Sequence, residues 1–224
     1  KTEAMKKAST DRRELPRDLR EAFTTVEAEG DVKVDHFPHM KEVITEVERF
    51  RKERRGCAVA LVGERGIGKA TWLKELEAQA GHGVIRAELD ETLVDERSVC
   101  GAVCRVFGID RREDVNSVVE QLLAEKRRIV LLDQTQNLVL RSVGGMRGLE
   151  AFARIVRRTM GRHMWVCAFS RYVWEHVEFV LQDQNFFTHV HILPGWPEEK
   201  IQDLIQRRMQ HCGWETVWDD LTSL

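Results

Sequence analysis

Gly63-Glu64-Arg65-Gly66-Ile67-Gly68-Lys69 is the stretch of this chain whose residue types and spacing most plainly could do chemistry. It fits G-x-x-x-x-G-K. Glycines at these places let consecutive backbone N–H groups turn inward on an anion. The helix that follows adds the positive end of its dipole, and the lysine ammonium bridges outer phosphates. The next position ordinarily carries Ser or Thr, whose hydroxyl ligates Mg2+. Here it is Ala70, with Thr71 one place further on, where a hydroxyl more naturally meets an inner phosphate. The expectation is a nucleotide site running from Gly63 to Thr71 with a weakened Mg2+ position.

A second candidate is Arg128-Ile129-Val130-Leu131-Leu132-Asp133-Gln134, an apolar run ending in a carboxylate. At the carboxyl end of a strand neighbouring the phosphate loop, Asp133 can hold the hydration shell of Mg2+. In many ATPases of this layout a Glu follows the Asp and polarises the attacking water. Gln134 cannot accept a proton, although its amide can orient a water, so general-base assistance of roughly 10²–10⁴-fold would be missing. The plainer alternative is that Asp133 only caps the next segment.

Both candidates need a frame that places strand ends side by side. Cys57–Val62 is an uninterrupted apolar run of strand length, the form of a strand buried on both faces. From there helical and strand-like patterns alternate. Residues 71–79 read as helix and 83–89 as strand; Val99, Val103 and Phe107 mark a helix, and Val115 to Leu123 another. Residues 129–132 are a strand, Leu149 to Met160 a helix, 165–169 a strand, Val173 to Val180 a helix and 188–193 a strand. Upstream, Val43, Ile44, Val47 and Phe50 recur at helical spacing. The sum is an α/β fold: a three-layer, parallel, five-stranded P-loop NTPase sheet. Pro194 and Pro197 set off a last amphipathic helix carrying Ile201, Leu204 and Ile205, and this junction resembles the entry to a small helical lid. The expected divisions are a charged segment over 1–30, the core over 31–194, and the lid's beginning over 195–224, cut from a longer protein.

Composition bounds the classes. The 224 residues carry 35 Lys and Arg against 37 Asp and Glu, a formal charge of −2, which argues against a polycationic nucleic-acid coat. No apolar run reaches the roughly 18 residues of a membrane span, and no secretory signal stands at the start, so no membrane contact is expected within these residues. Five cysteines, with no C-x-x-C, fit a reducing, cytoplasmic setting. Cys100 and Cys104, four apart with no His at ligand spacing, read as buried small hydrophobes.

The phosphate loop, the Leu131-Leu132-Asp133-Gln134-Thr135-Gln136-Asn137-Leu138 segment and the strand ending in Ser170-Arg171 together resemble AAA+-type P-loop ATPases. The nearest branches look like the origin-initiator, transposition-regulator and STAND signalling ATPases, over about residues 33–213. The resemblance implies that residues 34–38 contact adenine, largely through backbone groups, and that Ser170 occupies the first sensor position. It also implies, in the STAND pattern, that Arg171 reads the γ-phosphate, which its forked guanidinium suits; a surface Arg starting the next helix is the alternative. No N-K-x-D is present, which favours ATP over GTP. Residues 172–188 hold no Arg or Lys, which puts a trans-acting arginine finger, and with it a hydrolysing ring, in doubt.

Other features have plainer readings. Arg154, Arg157, Arg158 and Arg162, with Arg147 nearby, share one helix face and read as a solvated surface, with phosphate or an acidic partner as the alternative. Trp214 and Trp218 read as lid core. His189 and His191 face one side of a strand and, with no Cys or carboxylate at matching spacing, read as structural. The resulting expectation is an ATP- or ADP-binding AAA+/STAND-like module, with Asp133, Gln134, Ser170 and Arg171 at the reaction end. It acts as a slow or hydrolysis-impaired switch and drives assembly or signalling in a larger protein, through a protein partner or through self-assembly of that parent protein. A DNA-linked ATPase would add salt-sensitive DNA binding through the Arg154 face; a pseudo-ATPase scaffold would bind no nucleotide.

Overall fold

In the computed structural model of the protein, residues 36–53, 55–139, 145–180 and 186–211 are described. They fall in two compact units, Phe37–Gly195 and a smaller one whose described residues are His36 and 196–211. The predicted residues 1–30, Val34, Asp35, Trp214 and Trp218 lie outside them.

In the larger unit the order is α1 (Met40–Glu53), β1 (Ala58–Gly63), α2 (Lys69–Ala80), β2 (Val84–Glu88), α3 (Glu96–Phe107), α4 (Val115–Ala124) and β3 (Ile129–Asp133). A 3₁₀ turn (Thr135–Leu138), α5 (Arg147–Thr159), β4 (Met164–Ser170), α6 (Arg171–Val180) and β5 (His189–Ile192) complete it. The strands pair in parallel in the order β2-β3-β4-β1-β5. This is the parallel, three-layer α/β sheet expected from the alternating patterns.

Each central strand is apolar on both faces because both faces are covered. Val59 and Leu61 of β1, Leu131 of β3 and Val166 of β4 pack with Val43, Val47 and Phe50 of α1 and Trp72, Leu73 and Leu76 of α2. The alternate residues Ala60, Val62, Val130, Leu132, Trp165 and Cys167 pack with α3, α4 and α5 through Val99, Val103, Val118, Leu122 and Phe152. Trp165 is fully buried; a side chain of that size contributes about 3 kcal/mol by leaving water. Cys100 and Cys104 are buried in α3 and free, as expected of small hydrophobes.

Local chemistry fixes the helix starts. Asp95 accepts the Ser98 amide at 2.8 Å and Ser98 Oγ takes the Asp95 amide at 3.2 Å, a reciprocal cap on α3. Asp114 accepts the Ser117 amide at 3.0 Å to open α4. Helix α2 begins at Lys69, two residues before the sequence reading, because Gly68 in the left-handed region turns the chain directly into the first helical turn. In the smaller unit, α7 (Glu198–His211) comes after Pro197, and the His36 and Trp196 rings meet edge-on at 5.1 Å. No described helix is long and apolar enough to cross a membrane.

Candidate functional site

The strand order puts a switch of direction beside β1. The chain leaves β1 for the far edge at β2 and leaves β4 for the opposite edge at β5, which makes the carboxyl ends of these two neighbours the topological switch point at which open α/β sheets bind ligands. The register pairs Gly63 with Ser170. Leu132 of β3 pairs with Cys167 of β4, which brings Asp133 to the same end of the sheet. Residues 63, 133 and 170, far apart in sequence, thus become neighbours.

The loop from Gly63 to Lys69 is shaped by its glycines. A Cβ on Gly63 would lie 2.8 Å from Ile67 Cγ2, so only hydrogen fits where the loop folds over the strand end. Gly66 and Gly68 adopt φ of 81° and 97°, a region costing other L-residues about 1–2 kcal/mol. Ile67 donates its amide to the Glu64 carbonyl at 3.3 Å. Lys69 folds back across this turn, and Nζ donates to the carbonyls of Gly63 at 3.0 Å and Glu64 at 2.9 Å. Burial pushes the Lys69 pKa below its usual range, while the carboxylates of Asp133 and Glu64 pull it back upward. The result is a half-buried ammonium folded over the loop, with the carboxylates of Asp133 and Glu64 as its neighbouring charges. Ala70 and Thr71 form the first turn of α2, and Ala70 brings no oxygen to it. Trp72 Nε1 donates to the Pro38 carbonyl at 3.0 Å and ties α2 to the segment ahead of α1.

Asp133 is half-buried at the end of β3, and its Oδ1 accepts the Gln134 amide at 2.7 Å. Gln134 sits at φ 56°, a left-handed conformation unusual for a residue with a side chain. Its side-chain oxygen accepts a hydrogen bond from Gln136 Nε2, so the amide is held by a neighbour. Ser170 is half-buried at the end of β4. Arg171 starts α6 exposed, and its Nε lies 4.0 Å from Glu64 Oε1, which draws it toward the phosphate loop. Exposed as both partners are, that pair contributes at most about 1 kcal/mol.

Two positioning residues have only a faint sequence signal, polar side chains directly after an apolar strand. Thr135 is fully buried and donates its hydroxyl to the Ala168 carbonyl of β4. Asn137 Nδ2 donates to the Leu89 carbonyl at 2.5 Å, and its own carbonyl accepts the Leu93 amide at 2.9 Å. Together they lock the segment after Asp133 to β4 and to the loop after β2. Arg154, Arg157 and Arg158 lie elsewhere, on α5, whereas Arg162 falls past the end of that helix at Thr159, so the four do not share one helix face. Arg154 pairs with Glu96 at 2.6 Å, Arg158 donates to Asn116 at 2.5 Å and Arg162 Nε donates to the Glu125 carbonyl at 2.7 Å.

These residues fit a nucleotide's phosphates: positive-φ glycines leave the cradle open, and Lys69 supplies the charge. They fit Mg2+ less fully, with the Asp133 carboxylate at hand but no hydroxyl at residue 70.

Residues 51–167, just over half the chain, match the family model described as AAA domain. No curated protein matches the chain. Among solved structures, the Aeropyrum pernix ORC2 protein in its ADP form is similar with a TM-score of 0.61 and 15% identity, over 86% of this chain and 56% of that one. CDC6P from Pyrobaculum aerophilum gives 0.57 and 15%, over 86% and 53%. The Aeropyrum pernix ORC1 protein in complex with DNA gives 0.56 and 18%, over 87% and 54%. The chain spans about half the length of these structures, and at such identities the likeness is one of fold.

Proposed function

The chain belongs to the AAA domain family, and from that premise we propose that it is an ATP-binding module acting as a slow, hydrolysis-impaired nucleotide switch. The single observation that carries this reading is the half-buried Lys69 ammonium held against the glycine loop at the β1–β4 switch point. Backbone amides from Gly63 to Thr71 would bind the phosphates, with Lys69 on the outer ones and the Thr71 hydroxyl on an inner one. Asp133 would hold the hydration shell of Mg2+. The bound nucleotide supplies the γ-phosphoryl group, and Mg2+ the neutralisation of charge on its oxygens.

Two residues of this chain would keep turnover slow. Ala70 has no oxygen to give the metal, and Gln134 has no carboxylate to take a proton from water. With its side chain held by Gln136, Gln134 orients a water at best. Ser170 and Arg171 would respond to the presence of a γ-phosphate, as in the STAND pattern; the pairing of Ser170 with Gly63 and the nearness of Arg171 to Glu64 support this reading. The free, buried cysteines suit a reducing, cytoplasmic setting. A partner protein would read the state of the switch.

Calorimetric titration of ATP and ADP, each with and without Mg2+, into the wild type and Lys69→Ala tests the proposal. Micromolar binding that Lys69→Ala abolishes, with hydrolysis far slower than binding, is the expected result. No heat and no thermal shift with either nucleotide would overturn the switch and leave an interaction scaffold. The fold-level neighbour solved in complex with DNA motivates a second reading, a DNA-linked ATPase. It requires DNA affinity that falls steeply with salt and drops further in Arg154→Ala with Arg158→Ala. The engagement of both arginines by Glu96 and Asn116 weighs against it.

A further inference from the structure

At the end of β1 opposite the phosphate loop, three side chains with metal-ligating atoms converge from separate parts of the chain. Glu46 belongs to α1, Cys57 immediately precedes β1 and His189 opens β5. One ligand atom from each lies within 4.8 Å of the other two. His189 Nε2 stands 3.6 Å from Glu46 Oε2. Bonds of about 2.0 Å to nitrogen or oxygen and about 2.3 Å to sulfur in a tetrahedron place ligand atoms about 3.5 Å apart. One edge of that tetrahedron is therefore already in place, and the sulfur, within 4.8 Å of both partners, needs to close by at most about 1.3 Å.

The surroundings orient these atoms. Arg49 donates to Glu46 Oε1 at 2.6 Å, which leaves Oε2 turned toward His189. The Thr188 hydroxyl lies 3.5 Å from Cys57 Sγ and is itself fixed, accepting the Ala58 amide at 3.2 Å and donating to the Ala58 carbonyl at 2.9 Å. Outer partners of this kind hold metal ligands in orientation. Glu46 and Cys57 are buried, at 9% and 3% exposure, whereas the His189 side chain is 41% exposed. That leaves an entry path and room for water as fourth ligand. Further imidazoles crowd the same edge, His191 stacking on His39 at 5.0 Å and lying parallel to His189 at 6.2 Å.

We propose that Glu46, Cys57 and His189 form a mononuclear Zn2+ site with water completing a tetrahedron. Thiolate, imidazole and carboxylate together suit Zn2+ and not Mg2+ or Ca2+, which take oxygen sets. On binding, the Cys57 thiol gives its proton to solvent and the sulfur bonds the metal. The site joins α1 to the entry of β1 and to the short edge strand β5. It lies about 20 Å from the phosphate loop along β1, so it is independent of the nucleotide reading.

The test is titration of the metal-stripped full chain with Co2+ as a spectroscopic stand-in, followed by displacement with Zn2+. One equivalent of Co2+ should produce a thiolate-to-metal charge-transfer band in the near ultraviolet, and Cys57→Ser should lose it. His189→Gln, half-exposed and therefore tolerant of change, should weaken Co2+ binding at least about 10-fold. It should also remove the rise in melting temperature that Zn2+ gives the wild type. A stoichiometric titration without the band, a band that survives Cys57→Ser, or a Zn2+-induced thermal shift unchanged in His189→Gln would each overturn the proposal.

Discussion

Gly66→Ala separates the cost of shaping the phosphate loop from the cost of filling it. At Gly66 a Cβ would meet nothing within 4 Å, and the backbone sits at φ 81°. Substitution therefore brings no clash, only the penalty of about 1–2 kcal/mol for an L-residue in the left-handed region. The unfolded chain loses freedom on gaining the methyl, which offsets about 0.4–1 kcal/mol of it. The free protein also has an exit: the exposed loop relaxes to negative φ, turns its amides away and keeps its stability. Phosphate binding then has to restore the left-handed turn, so the penalty appears in affinity. The expected outcome is a melting temperature within about 4 °C of the wild type and an ATP Kd weakened about 5–30-fold. Gly66→Asn should recover most of the loss, because Asn visits this region at lower cost. Calorimetry and thermal denaturation on the same preparations measure both quantities. An unchanged Kd in Gly66→Ala, or Asn behaving like Ala, would refute the account of the loop.

Ala70→Ser should restore a hydroxyl in the first turn of α2 and increase the ratio of ATP affinities with and without Mg2+ about five-fold, as read by titration; an unchanged ratio would show that residue 70 does not face the metal. A Cβ at Gly148 would lie 1.9 Å from the Leu93 carbonyl oxygen and 3.2 Å from that of Leu138, both backbone atoms without a flexible way out. Gly148→Ala should therefore cost about 3 kcal/mol and lower the melting temperature about 6–12 °C; a fall under about 2 °C would count against the packing of α5. His163 is buried, its ring meeting the Leu122 carbonyl at 2.8 Å through Nε2 and accepting the Arg128 amide through Nδ1 at 3.2 Å. Burial holds its pKa, and that of His191, below the ordinary value. Below about pH 6.5 the unfolded chain then binds more protons than the folded one, so stability falls on acidification through that window. Melting temperatures at about pH 7.5 and about pH 5.5 should differ less in His163→Gln than in the wild type; equal differences would mean that His163 does not drive the slope.

The site was partly legible in the sequence. Residues 63–69 read as a candidate anion cradle because glycine's freedom and lysine's charge act within one turn of chain, and Gly66 and Gly68 do adopt positive φ. The strands were readable because a strand buried on both faces must be apolar at every position, as in residues 58–62 and 129–132. Helix starts were less clear: α2 takes in Lys69 and Ala70 because the cap is a backbone conformation at Gly68 and not a polar side chain. The hydroxyl of Thr135 and the amide of Asn137, which fix the segment after Asp133, look in sequence like any polar pair after a strand.

Composition and local pattern by themselves determined the fold class, the glycine-and-lysine pattern of the loop and the absence of a hydroxyl at residue 70 and of a carboxylate at residue 134. These depend on side-chain type and on neighbours a few residues away. Only the tertiary structure decided the strand order that sets Gly63 beside Ser170, the tether of Arg171 to Glu64 and the capture of Arg154 by Glu96. It alone brought Glu46 and Cys57 to His189, where the sequence offered no ligand at matching spacing. Which strand lies next to which is settled by the packing of helices over the whole sheet, a sum over distant contacts that no local window of sequence contains.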